Sequence, residues 1–195
     1  MPELSDLTIY LNAIKICNLI HQKIFDKKHS IEIPSMLSES IVKQKLELDD
    51  YEALSDENGN SDKNFDAQKK IGNDEINYYE IKASSSSKGT TTINLKIRAN
   101  VLVWAYFDFS QNKIIMKQIK EFDKKTTLGD VFLPDRIKSI TRNRVDKQDH
   151  TAEEKFTEVF KSDNNGRTTV TLDNFKWDED QTIELSMDTL EVIRK

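Results

Sequence analysis

Apolar residues recur with two different periods along this chain, and the change of period divides it into elements. In residues 4–25, LSDLTIYLNAIKICNLIHQKIF, Leu7, Leu11, Ile14 and Cys17 recur at helical spacing, and Tyr10, Leu19, Ile20 and Ile24 widen the stripe. A second amphipathic helix is predicted from Pro34, where Ser35 can cap and Leu37, Ile41 and Leu48 recur on one side. The acidic stretch from Asp49 to Asn64 reads as a loop. Beyond it the period shortens to two. FDAQKK and INYYEIKAS read as strands joined by a turn at Gly72–Glu75, a hairpin. NVLVWAYFDF is apolar at nearly every position, which suits a central strand covered on both faces and lying beside the INYYEIKAS strand. SQNK turns the chain into a further strand, IIMKQIK. LPDRIKSITRNRVDK is cationic with helical spacing, Thr151 with Glu154 opens a capping box, DNNGR breaks that helix, TTVTL alternates as a strand and SMDTLEVI is predicted as a closing helix.

The expected architecture is therefore α/β, a mixed sheet of about five strands covered by helices. The 195 residues suit one domain spanning 1–195 with a full core, and no repeats are present. A single cysteine, Cys17, excludes an intrachain disulfide framework and agrees with a reducing compartment, and no signal or membrane-spanning stretch stands out. A soluble, cytoplasmic protein is expected.

The strand INYYEIKAS carries the most specific chemistry. Alternation puts Tyr78, Glu80 and Lys82 on one face and Tyr79, Ile81 and Ala83 on the other, so an acid and a lysine project together from rigid backbone. The hairpin brings Asp66 beside them, with Asp74, in the turn, as the competing first acid. Two converging carboxylates are hard oxygen ligands of the kind Mg²⁺ takes, and an adjacent lysine can orient a water or stabilise charge on phosphate oxygens. Spacing alone does not single out this pair. An acid, any residue and a lysine also occur at Asp26–Lys28, Asp123–Lys125 and Glu153–Lys155, but only Glu80–Lys82 lies on a convincing strand with an acid at hairpin distance upstream.

Asp66, Glu80-Ile81-Lys82 and the polar run ASSSSKGTTTIN before a strongly apolar strand resemble the PD-(D/E)XK nuclease superfamily, and the size is similar to that of its type II restriction endonucleases. The resemblance covers mainly residues 64–120, with the catalytic core about 60–120. It departs at Phe65, where the motif has proline. It implies a restriction-endonuclease-like mixed central sheet flanked by helices and Mg²⁺ as cofactor. Asp66, Glu80 and the Ile81 backbone carbonyl become metal ligands, Glu39 of the second helix a further one, and Lys82 the catalytic lysine. It also implies double-stranded DNA and a second copy of the chain as partners.

Net charge is −5, unexpected for a DNA-binding protein, but its distribution is uneven. Residues 1–79 carry −6, residues 80–147 carry +7 and residues 148–195 carry −6. The basic block starts at the proposed catalytic strand, as expected if that segment lines a DNA cleft. Within it Ser84, Ser85, Ser86, Lys88 and Thr90 are candidate DNA contacts beside the site, and Arg136, Lys138, Arg142 and Arg144 candidate phosphate contacts. Gln68 is expected to share the face of Asp66. Trp104 is expected in the core, and Trp177 is open between core and base stacking. His21, His29 and His150 are scattered without zinc spacing, and the five glycines form no nucleotide-binding loop, so no nucleotide cofactor is expected.

Overall fold

The computed structural model describes residues 2–25, 31–50, 65–72, 75–94, 99–120 and 167–195. Two helices come first, α1 (Leu4–Phe25) and α2 (Ser35–Leu46). Among the described residues nine strands follow: β1 (Asp49–Asp50), β2 (Ala67–Ile71), β3 (Glu75–Ser84), β4 (Thr90–Asn94), β5 (Val101–Asp108), β6 (Lys113–Lys120), β7 (Arg167–Thr171), β8 (Asp178–Ser186) and β9 (Val192–Arg194). The fold is mixed α/β.

Seven strands form one sheet in the order β1-β2-β3-β5-β6-β8-β9, and β4 and β7 pair as a separate antiparallel ribbon. Within the large sheet β3 and β5 run parallel, with Glu80 opposite Leu102 and Lys82 opposite Trp104, while the other neighbours are antiparallel. A parallel pair needs a crossover. Here the crossover runs through β4.

The sheet is covered on both faces, by different material. On one face Leu7, Leu11 and Ile14 of α1 and Leu37, Ile41 and Val42 of α2 pack on Tyr79, Ile81, Val101, Val103 and Phe107. On the other, Ile93 and Val170 of the ribbon pack with Leu102, Trp104, Ile119 and Phe175. β5 contributes to both clusters, which accounts for its unbroken apolar run. Gly89 matters to the second face. It has φ +60°, and a Cβ there would meet the Trp104 ring at 2.9 Å and Leu172 at 3.1 Å, so only glycine lets the turn after β3 lie on the indole.

Several expectations are corrected. The large sheet has seven strands, not about five, because β1 and β9 are short, exposed edge strands with no apolar alternation and β8 is mostly polar. The predicted closing helix in SMDTLEVI is instead a tight connection between β8 and β9. Leu190 takes a left-handed φ of 55° and donates to the Ser186 carbonyl, Ser186 N–H donates to the Glu191 carbonyl, and Met187 and Leu190 are buried. Sheet pairing and these two side chains override helix propensity there. On α1 the buried stripe is Leu7, Leu11, Ile14 and Asn18, whereas Cys17, Tyr10, Leu19, Ile20 and Ile24 are exposed. The expected helices between residues 131 and 166, the acidic loop at 51–64 and Asp74 lie outside the described residues.

Candidate active site

The site forms where β2 ends and β3 continues. The β2–β3 ladder runs from Ile71 opposite Glu75 to Ala67 opposite Tyr79, and Asp66 is the residue at which β2 has left the ladder. Its N–H still donates to the Tyr79 carbonyl, at 2.9 Å, while its carboxylate Oδ2 accepts the Ile81 N–H at 2.7 Å. The side chain thus replaces the missing strand as partner for the β3 backbone. A residue's N–H and C=O point to the same edge of a strand, so the Ile81 carbonyl also faces the edge that β2 vacates. Asp66 is therefore fixed by the backbone rather than by a flexible loop.

Glu80 and Lys82 project from β3 on one face, as their spacing requires. Lys82 Nζ lies 2.5 Å from Glu80 Oε1, and the glutamate side chain is only 4 % exposed against 23 % for the lysine. Burial, and then the charge of Asp66, push the Glu80 carboxyl up to about 7, with Lys82 opposing and Glu39 adding to the rise. Glu80 stands in an electrostatic conflict: one ammonium is bonded to it, and two further carboxylates act on it in a water-poor setting.

Glu39 reaches the same place from α2. Its carboxyl is also raised, first by burial and then by Asp66. Sequence reasoning could place this residue on a helix but not on a side of the site. The deciding information is tertiary, the packing of Leu37, Ile41 and Val42 against β3 that turns Glu39 toward the strand end. A cavity of about 410 Å³ opens there, lined by Glu39, Ser38, Ser35, Asp66, Ile81 and Lys82, with Glu32 at its wall. The structure thus brings together Asp66, Glu80, Lys82, Ile81 and Glu39. Gln68 lies lower on the ladder, opposite Tyr78 and Asp49, and does not line the cavity.

The hydroxyl run beside the site folds into a turn held by its own side chains. Ser84 Oγ accepts the Trp104 Nε1–H at 2.9 Å and donates to the Ser86 carbonyl at 2.9 Å. Ser85 Oγ donates to the Ile31 carbonyl at 3.1 Å, tying the turn to the segment before α2. Ser86 Oγ accepts the Lys88 N–H at 3.3 Å. The side chains of Lys88 and Thr90 stay exposed. Trp104 is buried, as expected. Trp177, left open by the sequence, packs 5.7 Å from Trp104 and donates to the Leu172 carbonyl at 2.8 Å. Arg136, Lys138, Arg142 and Arg144 lie outside the described residues.

Comparison with family models, curated proteins and solved structures finds no match. Among the described residues no three His, Cys, Asp or Glu side chains are set closely enough to enclose an ion between them. The arrangement is an open cluster, not a preformed cage. Its chemistry is that of carboxylates held against an ammonium at the mouth of a polar cavity.

Proposed function

We propose that this chain is a Mg²⁺-dependent endonuclease that hydrolyses phosphodiester bonds of double-stranded DNA at a short specific sequence, acting as a pair of copies with one site for each strand. The observation that carries the reading is the conflict at Glu80, a buried carboxylate raised to about 7 by burial and Asp66 while bonded to Lys82. Carboxylates crowded in this way are relieved by a divalent cation, and a perturbed group bonded to Lys82 at a cleft that Lys82, Asp66 and Glu39 line is a functional-site candidate.

The donor set fits Mg²⁺. This ion is held through one or two carboxylates and keeps several waters, so it needs no closed cage. Asp66 and Glu80 would hold it with the Ile81 carbonyl, and Glu39, which lines the same cavity as Asp66, would add its charge from outside that set. When bound, Mg²⁺ supplies polarisation of the phosphate and an acidified water.

The remaining work falls to the chain itself. Asp66, anchored through Oδ2 by the Ile81 N–H, lines the cavity as a fixed carboxylate. Lys82, a quarter exposed, can turn from Glu80 toward the substrate, where its Nζ–H groups orient the attacking water and stabilise charge developing on the phosphate oxygens. Ser84, Ser85 and Ser86 keep the turn rigid beside the site, while Lys88 and Thr90 offer exposed donors to DNA next to it.

Incubation of the protein with a plasmid of known sequence and Mg²⁺, with an EDTA control, tests this reading. Discrete fragments that vanish with EDTA are the expected result. A smear, or preferential cutting of branched or damaged DNA, would replace sequence-specific restriction with a repair or recombination nuclease. Binding with no cleavage would leave a noncatalytic module in which Glu80 and Lys82 merely pair.

A further inference from the structure

α1 is apolar on two opposite sides, and among the described residues the fold covers one of them. At about 100° per residue, Leu7, Leu11, Ile14 and Asn18 fall together, and all four are buried. Ile9, Ala13, Ile16, Ile20 and Ile24 fall on the far side, with Tyr10 and Leu19 as flanks. Ile9 is 68 % exposed, Ile16 57 %, Leu19 54 %, Ile20 51 % and Ile24 66 %. The helix cannot roll to hide them. Leu7, Leu11 and Ile14 are set in the core, Lys15 Nζ reaches Asn112 and Asp188 across the fold, and Asn18 Oδ1 accepts the Ile31 N–H.

We propose that this outer face of α1 is the surface on which a second copy of the chain docks, the two helices lying antiparallel across a two-fold axis. Three features favour a second copy over other occupants. First, the stripe complements itself on reversal. An axis between Ala13 and Ile16 sets Ile9 against Ile20 and the small Ala13 against Ile16, so that the helices can approach closely. Second, the charges at the ends agree with that direction. Glu3 and Asp6 stand at the beginning of α1 and Lys23 in its last turn, so antiparallel packing lays each acidic end on the other copy's basic end, with the helix dipoles opposed. Third, Ile9, Ile16, Leu19, Ile20 and Ile24 are each more than half exposed on one helix, and contiguous apolar surface of this kind marks an interaction site. A membrane surface fits poorly. It would want a basic polar face opposite the stripe, and that side of α1 is in the core, with Lys15 turned to Asp188.

The inference supplies the surface for the paired copies of the proposed function and rests on that reading for its purpose, but its test is mass and not cleavage. The measurement is sedimentation equilibrium of the full chain without DNA at about 50 µM, a concentration at which a pair of micromolar affinity is associated. We expect twice the 22.6 kDa of one chain for the wild type. Ile16→Glu and Ile16→Lys should each sediment at 22.6 kDa with unchanged circular dichroism. Mixing the two variants should restore the doubled mass, because opposite charges then meet near the axis. Met36→Glu, at an apolar residue of α2 that is 80 % exposed, should stay doubled. If either charged variant misfolds, Ile20→Ala with Ile24→Ala trims only exposed carbons and should weaken pairing at least tenfold. A wild type at the mass of one chain, a doubled mass that persists in the folded charged variants, or pairing unchanged in the alanine variant would overturn the proposal. A doubled species that does not cut DNA counts against the nuclease alone. A single chain that does cut counts against this interface alone.

Discussion

Two lysine–carboxylate pairs in this molecule have nearly the same contact geometry and opposite electrostatics. Lys82 meets Glu80 at 2.5 Å, and Lys15 meets Asp188 at 2.9 Å. The lysines are even equally exposed, at 23 % and 25 %, but the Glu80 side chain is 4 % exposed and that of Asp188 is 54 %. Asp188 is held below its ordinary value by the bonds from Lys15 and Asn112, whereas Glu80 is pushed far above its own by burial and by Asp66. The Asp188 pair is a surface latch that joins α1 to the β5–β6 and β8–β9 turns. The Glu80 pair is an unresolved crowd of charge. A short ion pair does not by itself mark a site; a carboxylate that stays destabilised despite its ion pair does.

The largest expected effect breaks the comparison at its active member. Lys82→Ala and Glu80→Gln should each lower Mg²⁺-dependent cleavage by at least ~10²–10³-fold, the scale on which single charge-stabilising groups act. Lys15→Ala should leave the cleavage rate unchanged. Both site variants should fold, since Gln resembles the protonated Glu80 and Lys82 is not a core filler. A Lys82→Ala enzyme of wild-type rate would remove the lysine from the chemistry.

The next effect is a pH dependence of stability with opposite signs at the two pairs. The Glu80 carboxyl is raised from 4.5 to about 7 in the folded state, so its contribution is fully present below 4.5 and is lost as pH rises through 7. The loss is on the order of 3 kcal/mol for a shift of this size. Asp188, with its value lowered from 3.8, contributes above that value and loses the contribution as pH falls below it. Urea midpoints at pH 6 and pH 8 isolate the first of these. The wild type should weaken between the two, and Glu80→Gln should be nearly flat. Added Ca²⁺ should reverse the trend: Glu80 must lose its proton to bind the ion, so affinity read from the thermal shift should be about tenfold weaker at pH 6 than at pH 8. Equal affinities would place the cation away from Glu80.

The sequence discloses what depends on near neighbours along the chain. Alternation in INYYEIKAS put Glu80 and Lys82 on one face, the apolar run of β5 announced a doubly covered strand beside β3, and Gly72 marked the hairpin that returns Asp66 to the site. Properties set by distant parts were hidden. Nothing local says that Asp66 stops pairing as a strand residue and caps the Ile81 N–H with its side chain, or that α2 turns Glu39 toward the cavity. The serine run reads as a free loop until Trp104 and Ile31 take up its hydroxyls. The error at the closing helix has the same origin, because the pattern of SMDTLEVI cannot reveal that β8 and β9 pair on either side of it. On α1, periodicity measured apolarity but not which of two apolar sides meets the sheet.

A smaller effect sharpens the comparison by reducing the crowd without removing its centre. Glu39 raises Glu80, and Asp66 raises Glu39, so Glu39→Gln should move the Glu80 titration downward and shift the pH-dependent loss of stability to lower pH. Cation affinity should fall roughly tenfold or less, because Mg²⁺ and Ca²⁺ keep their other oxygen ligands. An unchanged titration would mean that solvent screens Glu39 from the pair.

The smallest effect belongs to Asp188→Asn. Asn keeps one acceptor oxygen, which Lys15 and Asn112 Nδ2, 2.6 Å from the carboxylate, can share, and loses the second oxygen together with the charge. Lys15 also retains the Asn112 side-chain oxygen, so the latch between α1 and the turns stays closed. At an exposed pair the lost attraction is offset by easier solvation of the freed ammonium, and salt already screens what remains. The variant should therefore unfold at the wild-type urea midpoint at pH 7, and the two should diverge only at pH values low enough to protonate the wild-type aspartate. Cleavage and cation affinity should not move, since Asp188 is not among the groups that act on Glu80. A marked loss of stability at pH 7 would mean that the exposed pair is as deeply coupled as the buried one, and the contrast in burial would then not be what separates them.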